Sequence, residues 1–113
     1  MIEVTAIIQP RKLDPVREAL NALPDFPGMT VSRVEGCGPA SDRRGQPKGL
    51  RQQLTDFSPK VRLEILAPDE LAETLARLIH QVAHTGQAGD GVVWLKPVEG
   101  FRRVRWMPEG ESA

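Results

Sequence analysis

The residues best suited to binding an anion lie in the last third of the chain. Residues 85–94 read TGQAGDGVVW, in which Gly89 and Gly91 would let the backbone turn tightly and present its N–H groups to a phosphate. Arg103 and Arg105 follow two positions apart, so on a strand both would point to one face and form a phosphate clamp. The residues alone leave a plain turn and a solvated basic strand as the alternative.

The sequence contains few motifs that indicate catalysis or metal binding. The chain has no nucleophile elbow, no Walker A loop, no paired-cysteine motif and no tyrosine. His80 and His84, four apart on a predicted helix, could hold one edge of a metal site, but structural zinc takes four ligands, and a solvated helix face is the alternative. The lone Cys37 cannot form an internal disulfide, which fits a reducing compartment, so we expect a cytoplasmic protein.

The composition predicts a single globular domain over residues 1–113. Apolar residues make up 40% and charged residues 27%, and 15 basic residues balance 15 acidic ones, so nothing points to a nucleic-acid partner. No apolar run approaches the roughly 18 to 20 residues that cross a bilayer, and no signal peptide is predicted. A chain this small buries only about two-thirds of its unfolded surface, so oligomerisation would stabilise it.

The elements that must position these residues follow from apolar periodicity. The pattern predicts strands over 2–9, 29–36, 60–68 and 91–99, one helix after the first strand and another after the third, and a short fifth strand over 101–106 as a further candidate. This βαββαβ order predicts an α+β fold of the ferredoxin-like type. An RNA-recognition module shares the topology, but it needs aromatic residues on its central strands, and 2–9 and 60–68 contain none.

Residues 38–55, GPASDRRGQPKGLRQQLT, have no sustained apolar period and predict a long loop between the second and third strands. Loops of more than about 12 to 15 residues are usually functional or mobile, and a solvated connection is the alternative. The basic residues of this loop would suit an anion or an acidic partner surface. They are Arg43, Arg44, Lys48 and Arg51.

Four ordered blocks of the sequence resemble the PII signal-transduction proteins. They are VTAIIQPRKLDPVREAL, GMTVSRVEGCG, DFSPKVRLEI, and HTGQAGDG followed by RRVR. The resemblance implies a regulatory homotrimer that is not an enzyme. It further implies that the loop at 38–55, the T-loop, docks on a partner protein, and that three clefts between subunits bind ATP or ADP.

Carried over position by position, the resemblance implies a set of nucleotide contacts and two cleft residues. Leu66 would line the adenine pocket, Gly89 to Gly91 would hold phosphate, and the two arginines would reach the phosphates from a neighbouring subunit. Lys60 and Glu64 would line the cleft, where Lys60 helps to hold 2-oxoglutarate. The full nucleotide set is Thr30, Gly36, Gly38, Leu66, Gly89, Asp90, Gly91, Val92, Arg103 and Arg105.

The chain departs from the family pattern at three places. Residues 39–42 read PASD where the family has RQKG or close to it, so Ala40 replaces the glutamine that helps to hold Mg-ATP and 2-oxoglutarate. The absence of tyrosine excludes uridylylation of the loop. Val92 stands where the family usually has a phosphate-binding lysine, which favours ADP or AMP over ATP and leaves the need for magnesium open.

The sequence therefore predicts a PII-like regulator that binds an adenine nucleotide and controls a partner through the T-loop. A membrane transporter or a protein of carbon or nitrogen metabolism is the expected partner. One alternative is a sensor of bicarbonate or a carboxylate, linked to inorganic-carbon uptake or carboxysomes. The other is a metal-responsive trimer that uses His80 and His84.

Overall fold

The computed structural model describes residues 1–38, 46, 49 and 57–107. Most of the T-loop, including Arg43, Arg44, Lys48 and Arg51 and the departures at 39–42, lies outside the described residues. The elements in chain order are β1 (Ile2–Ile8), a 3₁₀ turn (Pro10–Lys12), α1 (Leu13–Asn21), β2 (Thr30–Gly36), β3 (Ser58–Ala67), α2 (Asp69–Ala83) and β4 (Gly91–Pro97). The predicted βαββαβ order and the ferredoxin-like α+β class are confirmed.

The four strands form one antiparallel sheet in the order β2-β3-β1-β4. The register pairs Ile8 with both Val61 and Gly91, and pairs Gly36 with Ser58. The carboxyl ends of β1 and β2 therefore meet the amino ends of β3 and β4 at one end of the sheet. We call this the loop end, because the segment between β2 and β3 leaves from it.

The core lies between the two helices and one face of the sheet. Alternate residues of the two central strands point into it, as the period-2 pattern predicts, and those of β3 are Val61, Leu63 and Ile65, all fully buried. From the helices, Leu20 and Leu75 are equally buried. Neither described helix is long and apolar enough to cross a membrane.

The prediction of a fifth strand over 101–106 is wrong. None of residues 101–107 pairs with a strand of this chain, and the Trp106 N–H donates to the Arg103 carbonyl oxygen at 3.1 Å, which closes a turn instead. Each arginine stacks on a neighbouring ring: Arg103 lies 5.4 Å from the ring centre of Phe101, and Arg105 lies 4.7 Å from that of Trp106. The strand geometry that would have aligned the two arginines is therefore not present in this chain.

Candidate functional site

The turn between α2 and β4 is organised by the carboxylate of Asp90. It accepts hydrogen bonds from the Thr85 N–H at 2.6 Å, the Gly86 N–H at 2.9 Å and the Thr85 hydroxyl. These bonds, that from the Thr85 hydroxyl first, lower the pKa of Asp90 to about 2. The side chain of Asp90 is thus committed to its own turn, and its N–H donates to Gln87 at 3.3 Å. Any phosphate-binding nest here must use other N–H groups.

Gly91 is the position in this turn where only glycine fits. Its φ is +113°, and a Cβ added there would lie 1.8 Å from the Ile7 carbonyl oxygen. Gly89 also has a positive φ, of +95°, but a Cβ there would meet only the flexible ends of the Gln9 and Lys60 side chains, at 3.3 and 3.5 Å. The closeness of β1 and β4 at the loop end therefore depends on Gly91.

Two side chains at the loop end donate hydrogen bonds to the turn between α2 and β4. The Lys60 ammonium donates to the Gly89 carbonyl oxygen at 2.7 Å, and the Gln9 amide donates to the same oxygen at 2.7 Å. Lys60 also lies beside Gly36, where an added Cβ would be 3.4 Å from its Cγ. The structure thus brings the predicted Gly36, Lys60 and Gly89 together. Sequence reasoning missed Gln9, because its meeting with Gly89 depends on the β1–β4 register.

A second group of predicted residues lies farther along the sheet. Thr30 pairs with Glu64 across β2 and β3, and both line a cavity of about 350 Å³ together with Leu66 and Arg103. Arg62 donates to Glu64 at 3.0 Å, so the glutamate is already paired. Arg105 does not line this cavity. Of the two predicted arginines, only Arg103 therefore joins the other residues.

Within one chain the two groups are separated by the length of a strand. Thr30 and Gly36 stand at opposite ends of β2, which at about 3.3 Å per residue places them about 20 Å apart. The turn at 85–91 belongs to the loop end, and the Thr30 cavity to the other end. A single protomer does not bring all of the predicted nucleotide contacts together. A site that uses both groups at once needs surfaces from two copies.

Beside the turn, α2 and the edge strand β4 enclose a further cavity of about 310 Å³. Gly91 and Val92 line it, together with His80, His84 and Asp90. The two imidazole rings are 6.1 Å apart, centre to centre. In the part of the chain that the structure describes, no three His, Cys, Asp or Glu residues are grouped so as to hold a metal ion.

Comparison of the sequence with known proteins identifies a family of regulatory proteins. The family model described as Nitrogen regulatory protein P-II matches residues 1–107. Nitrogen regulatory proteins P-II of Azospirillum brasilense and Haemophilus influenzae are each 38% identical to this chain over all of its length and 99% of theirs. Nitrogen regulatory protein P-II 1 of Escherichia coli is 39% identical over the same shares.

The chain belongs to the nitrogen regulatory protein P-II family, which confirms the resemblance seen in its four sequence blocks. Proteins of this family are trimeric regulators, not enzymes, and they interact with partner proteins. A trimer would supply the second copy that the separation of the two residue groups requires.

Proposed function

We propose that this protein is a regulator that binds an adenine nucleotide between the subunits of its trimer and passes that signal to a partner through residues 38–55. The observation that carries the proposal is the cavity that joins Thr30, Glu64 and Leu66 to Arg103. It combines an apolar surface, a hydroxyl, a carboxylate and a guanidinium. An adenosine phosphate offers matching groups: an apolar ring with polar edges, and an anion.

The phosphates would lie between this cavity on one copy and the turn at 85–91 on the next. Arg103 and Arg105 supply positive charge from one side, and the backbone of the turn supplies N–H donors from the other. Binding would then depend on assembly, because each copy provides half of the contacts. Each arginine stacks on an aromatic ring, and this stacking leaves the N–H groups in the plane of the guanidinium able to donate to a phosphate.

We expect ADP or AMP to bind at least as well as ATP. Val92, 54% exposed at the start of β4, offers no charge to a third phosphate. Lys60 donates one N–H to the Gly89 carbonyl oxygen at 2.7 Å, and its ammonium has two further N–H groups that a ligand could use.

The nucleotide would act on the partner by shifting the population of T-loop conformations. Gly36 and Lys60 lie at the two roots of this loop, and Lys60 contacts the turn that would hold phosphate. A ligand at the turn therefore has a direct contact through which to favour one loop conformation. The names of the relatives favour nitrogen regulation as the pathway. We propose a membrane transporter or a protein of carbon or nitrogen metabolism as the partner.

Titration calorimetry with AMP, ADP and ATP, each with and without magnesium, tests the proposal. Arg103→Ala should weaken binding about tenfold or more, since a charge-assisted hydrogen bond contributes roughly 1.5 to 3 kcal/mol. Arg102→Ala is the matched control, because it removes the same charge from a neighbouring residue outside the Thr30 cavity. Failure of every adenine nucleotide to bind below the millimolar range would refute the proposal.

A second candidate, sensing of a small carboxylate or bicarbonate, is favoured by one observation. Lys60 and Gln9 direct two donors at a single oxygen atom, the Gly89 carbonyl. An oxygen of a small anion could take the place of that carbonyl. Titration with bicarbonate and with 2-oxoglutarate, alone and with ADP present, tests this candidate, and Lys60→Ala should abolish any binding that is found.

A further inference from the structure

The cavity between α2 and β4 adjoins the turn at 85–91 and contains no lysine or arginine among its described lining residues. Its floor is apolar. Its polar groups are the two imidazoles of His80 and His84 and the carboxylate of Asp90. Gly91 and Val92 complete the wall on the side of the turn. Among the described residues that line this cavity, only the histidines can therefore carry a positive charge.

We infer that His80 and His84 form a cationic pair that attracts the phosphates of the bound nucleotide and makes its affinity depend on pH. The inference rests on the proposed function, since it assigns a charge to one wall of the same site. It also gives the two histidines a role other than metal binding, for which two ligands are too few.

The sign of the effect follows from the charges in the cavity. Asp90 stays ionised throughout the physiological range, because its three hydrogen bonds hold its pKa at about 2. Imidazole side chains change charge between about pH 5 and 8. The sum over Asp90, His80 and His84 therefore changes from −1 when both rings are neutral to +1 when both are protonated. Phosphate is repelled in the first state and attracted in the second.

The other charged groups near the histidines do not reverse this sign. Glu73 and Arg77 line an adjoining cavity with His80, and they are paired with each other at 3.3 Å, so their charges offset. His84 Nδ1 lies 3.9 Å from the carboxylate of Asp90. On the far side of the turn, the Lys60 ammonium donates to the Gly89 carbonyl oxygen; its positive charge is the same with and without the two histidines, so it does not change the sign of their effect.

Both rings can reach an anion in the cavity. His84 is 62% exposed in its side chain, His80 is also exposed, and their ring centres are 6.1 Å apart. A unit charge on a ring about 6 Å from a phosphate changes the affinity for that phosphate roughly threefold in water-like surroundings. Two protonated rings should therefore change it about tenfold, and less at high salt.

The test compares wild-type protein with the double variant His80→Gln/His84→Gln, at pH 6 and pH 8, by calorimetry with ADP in the presence of a metal chelator. Both side chains are exposed, so the variant should fold, and circular dichroism checks that it does. The expected result is about tenfold tighter binding by the wild type at pH 6 and equal affinities at pH 8. Because ADP protonates its own phosphate in this range, only the difference between the two proteins is interpreted.

Adenosine serves as a matched ligand without phosphate, and its affinity should not distinguish the two proteins at either pH. Calorimetry in two buffers of different ionisation enthalpy should also show proton uptake by the wild type near pH 7 that the variant lacks.

Equal affinities of the two proteins for ADP at pH 6 would overturn the inference and leave the proposed function standing. A difference that appears only without chelator would overturn it in favour of a bound metal. Failure of AMP, ADP and ATP alike to bind either protein at any pH would refute the proposed function itself.

Discussion

Replacing Gly91 by alanine should disturb the meeting of β1 and β4 more than any other glycine substitution in the turn. The new Cβ would lie 1.8 Å from the Ile7 carbonyl oxygen, whereas ordinary contact begins at 3.4 Å. The two strands must therefore separate locally by about 1.6 Å, the difference between these distances. Backbone at this point cannot yield without loss of the hydrogen bonds that close the sheet at its loop end.

Two costs add in this variant. A non-glycine residue at a φ of +113° costs roughly 1 to 3 kcal/mol. The loss of one or two strand hydrogen bonds adds about 1 kcal/mol for each. Gly28→Ala isolates the first cost, because Gly28 has a similar φ of +99° and an added Cβ would meet nothing within 4 Å. The free energy of unfolding should thus fall by about 1 to 2 kcal/mol more in Gly91→Ala than in Gly28→Ala.

Urea unfolding at one fixed protein concentration measures this difference, since assembly makes the midpoint depend on concentration. ADP titration of the folded variants adds a functional readout. Gly91→Ala should weaken ADP binding, because the turn moves, and Gly28→Ala should do so less. If the free energy of unfolding falls equally in the two variants, the close approach of Gly91 to Ile7 does not constrain this fold, and the predicted difference is refuted.

Other predictions follow from the turn and the core. Thr85→Val removes the largest cause of the lowered pKa of Asp90, so the carboxyl should titrate closer to its ordinary value of 3.8 instead of about 2, as measured by NMR; an unchanged titration would contradict the assigned hydrogen bond. Because that pKa is depressed, the stabilisation from Asp90 is present above the ordinary carboxyl pKa of 3.8 and is lost as pH falls through about 2, so the difference in free energy of unfolding between wild-type and Asp90→Ala proteins, measured in urea, should shrink as pH falls through this range. Leu75→Ala opens a cavity at a fully buried site and should lower the free energy of unfolding by about 2 to 5 kcal/mol, whereas a loss below 1 kcal/mol would mean that the core is not packed as described.

The candidate site was predictable from sequence where the family resemblance carried residues over, and less so where contacts depend on register. Thr30, Glu64 and Leu66 line one cavity, and Lys60 donates to Gly89 in the glycine turn; that these residues bind a nucleotide stays a prediction. The predicted strand at 101–106 is absent although β2 and β4 each have a free edge in the described sheet, because the segment closes a turn through the hydrogen bond from the Trp106 N–H to the Arg103 carbonyl oxygen.

The sequence by itself determined the order of elements and the core, since local periodicity decides which face of each strand and helix is apolar. Val61, Leu63 and Ile65 are buried for that reason. Only the tertiary structure decided which distant residues meet. The β1–β4 register sets Gln9 against Gly89, 80 positions later in the chain. These contacts join segments that share no local pattern, so pairing geometry, and not periodicity, determines them.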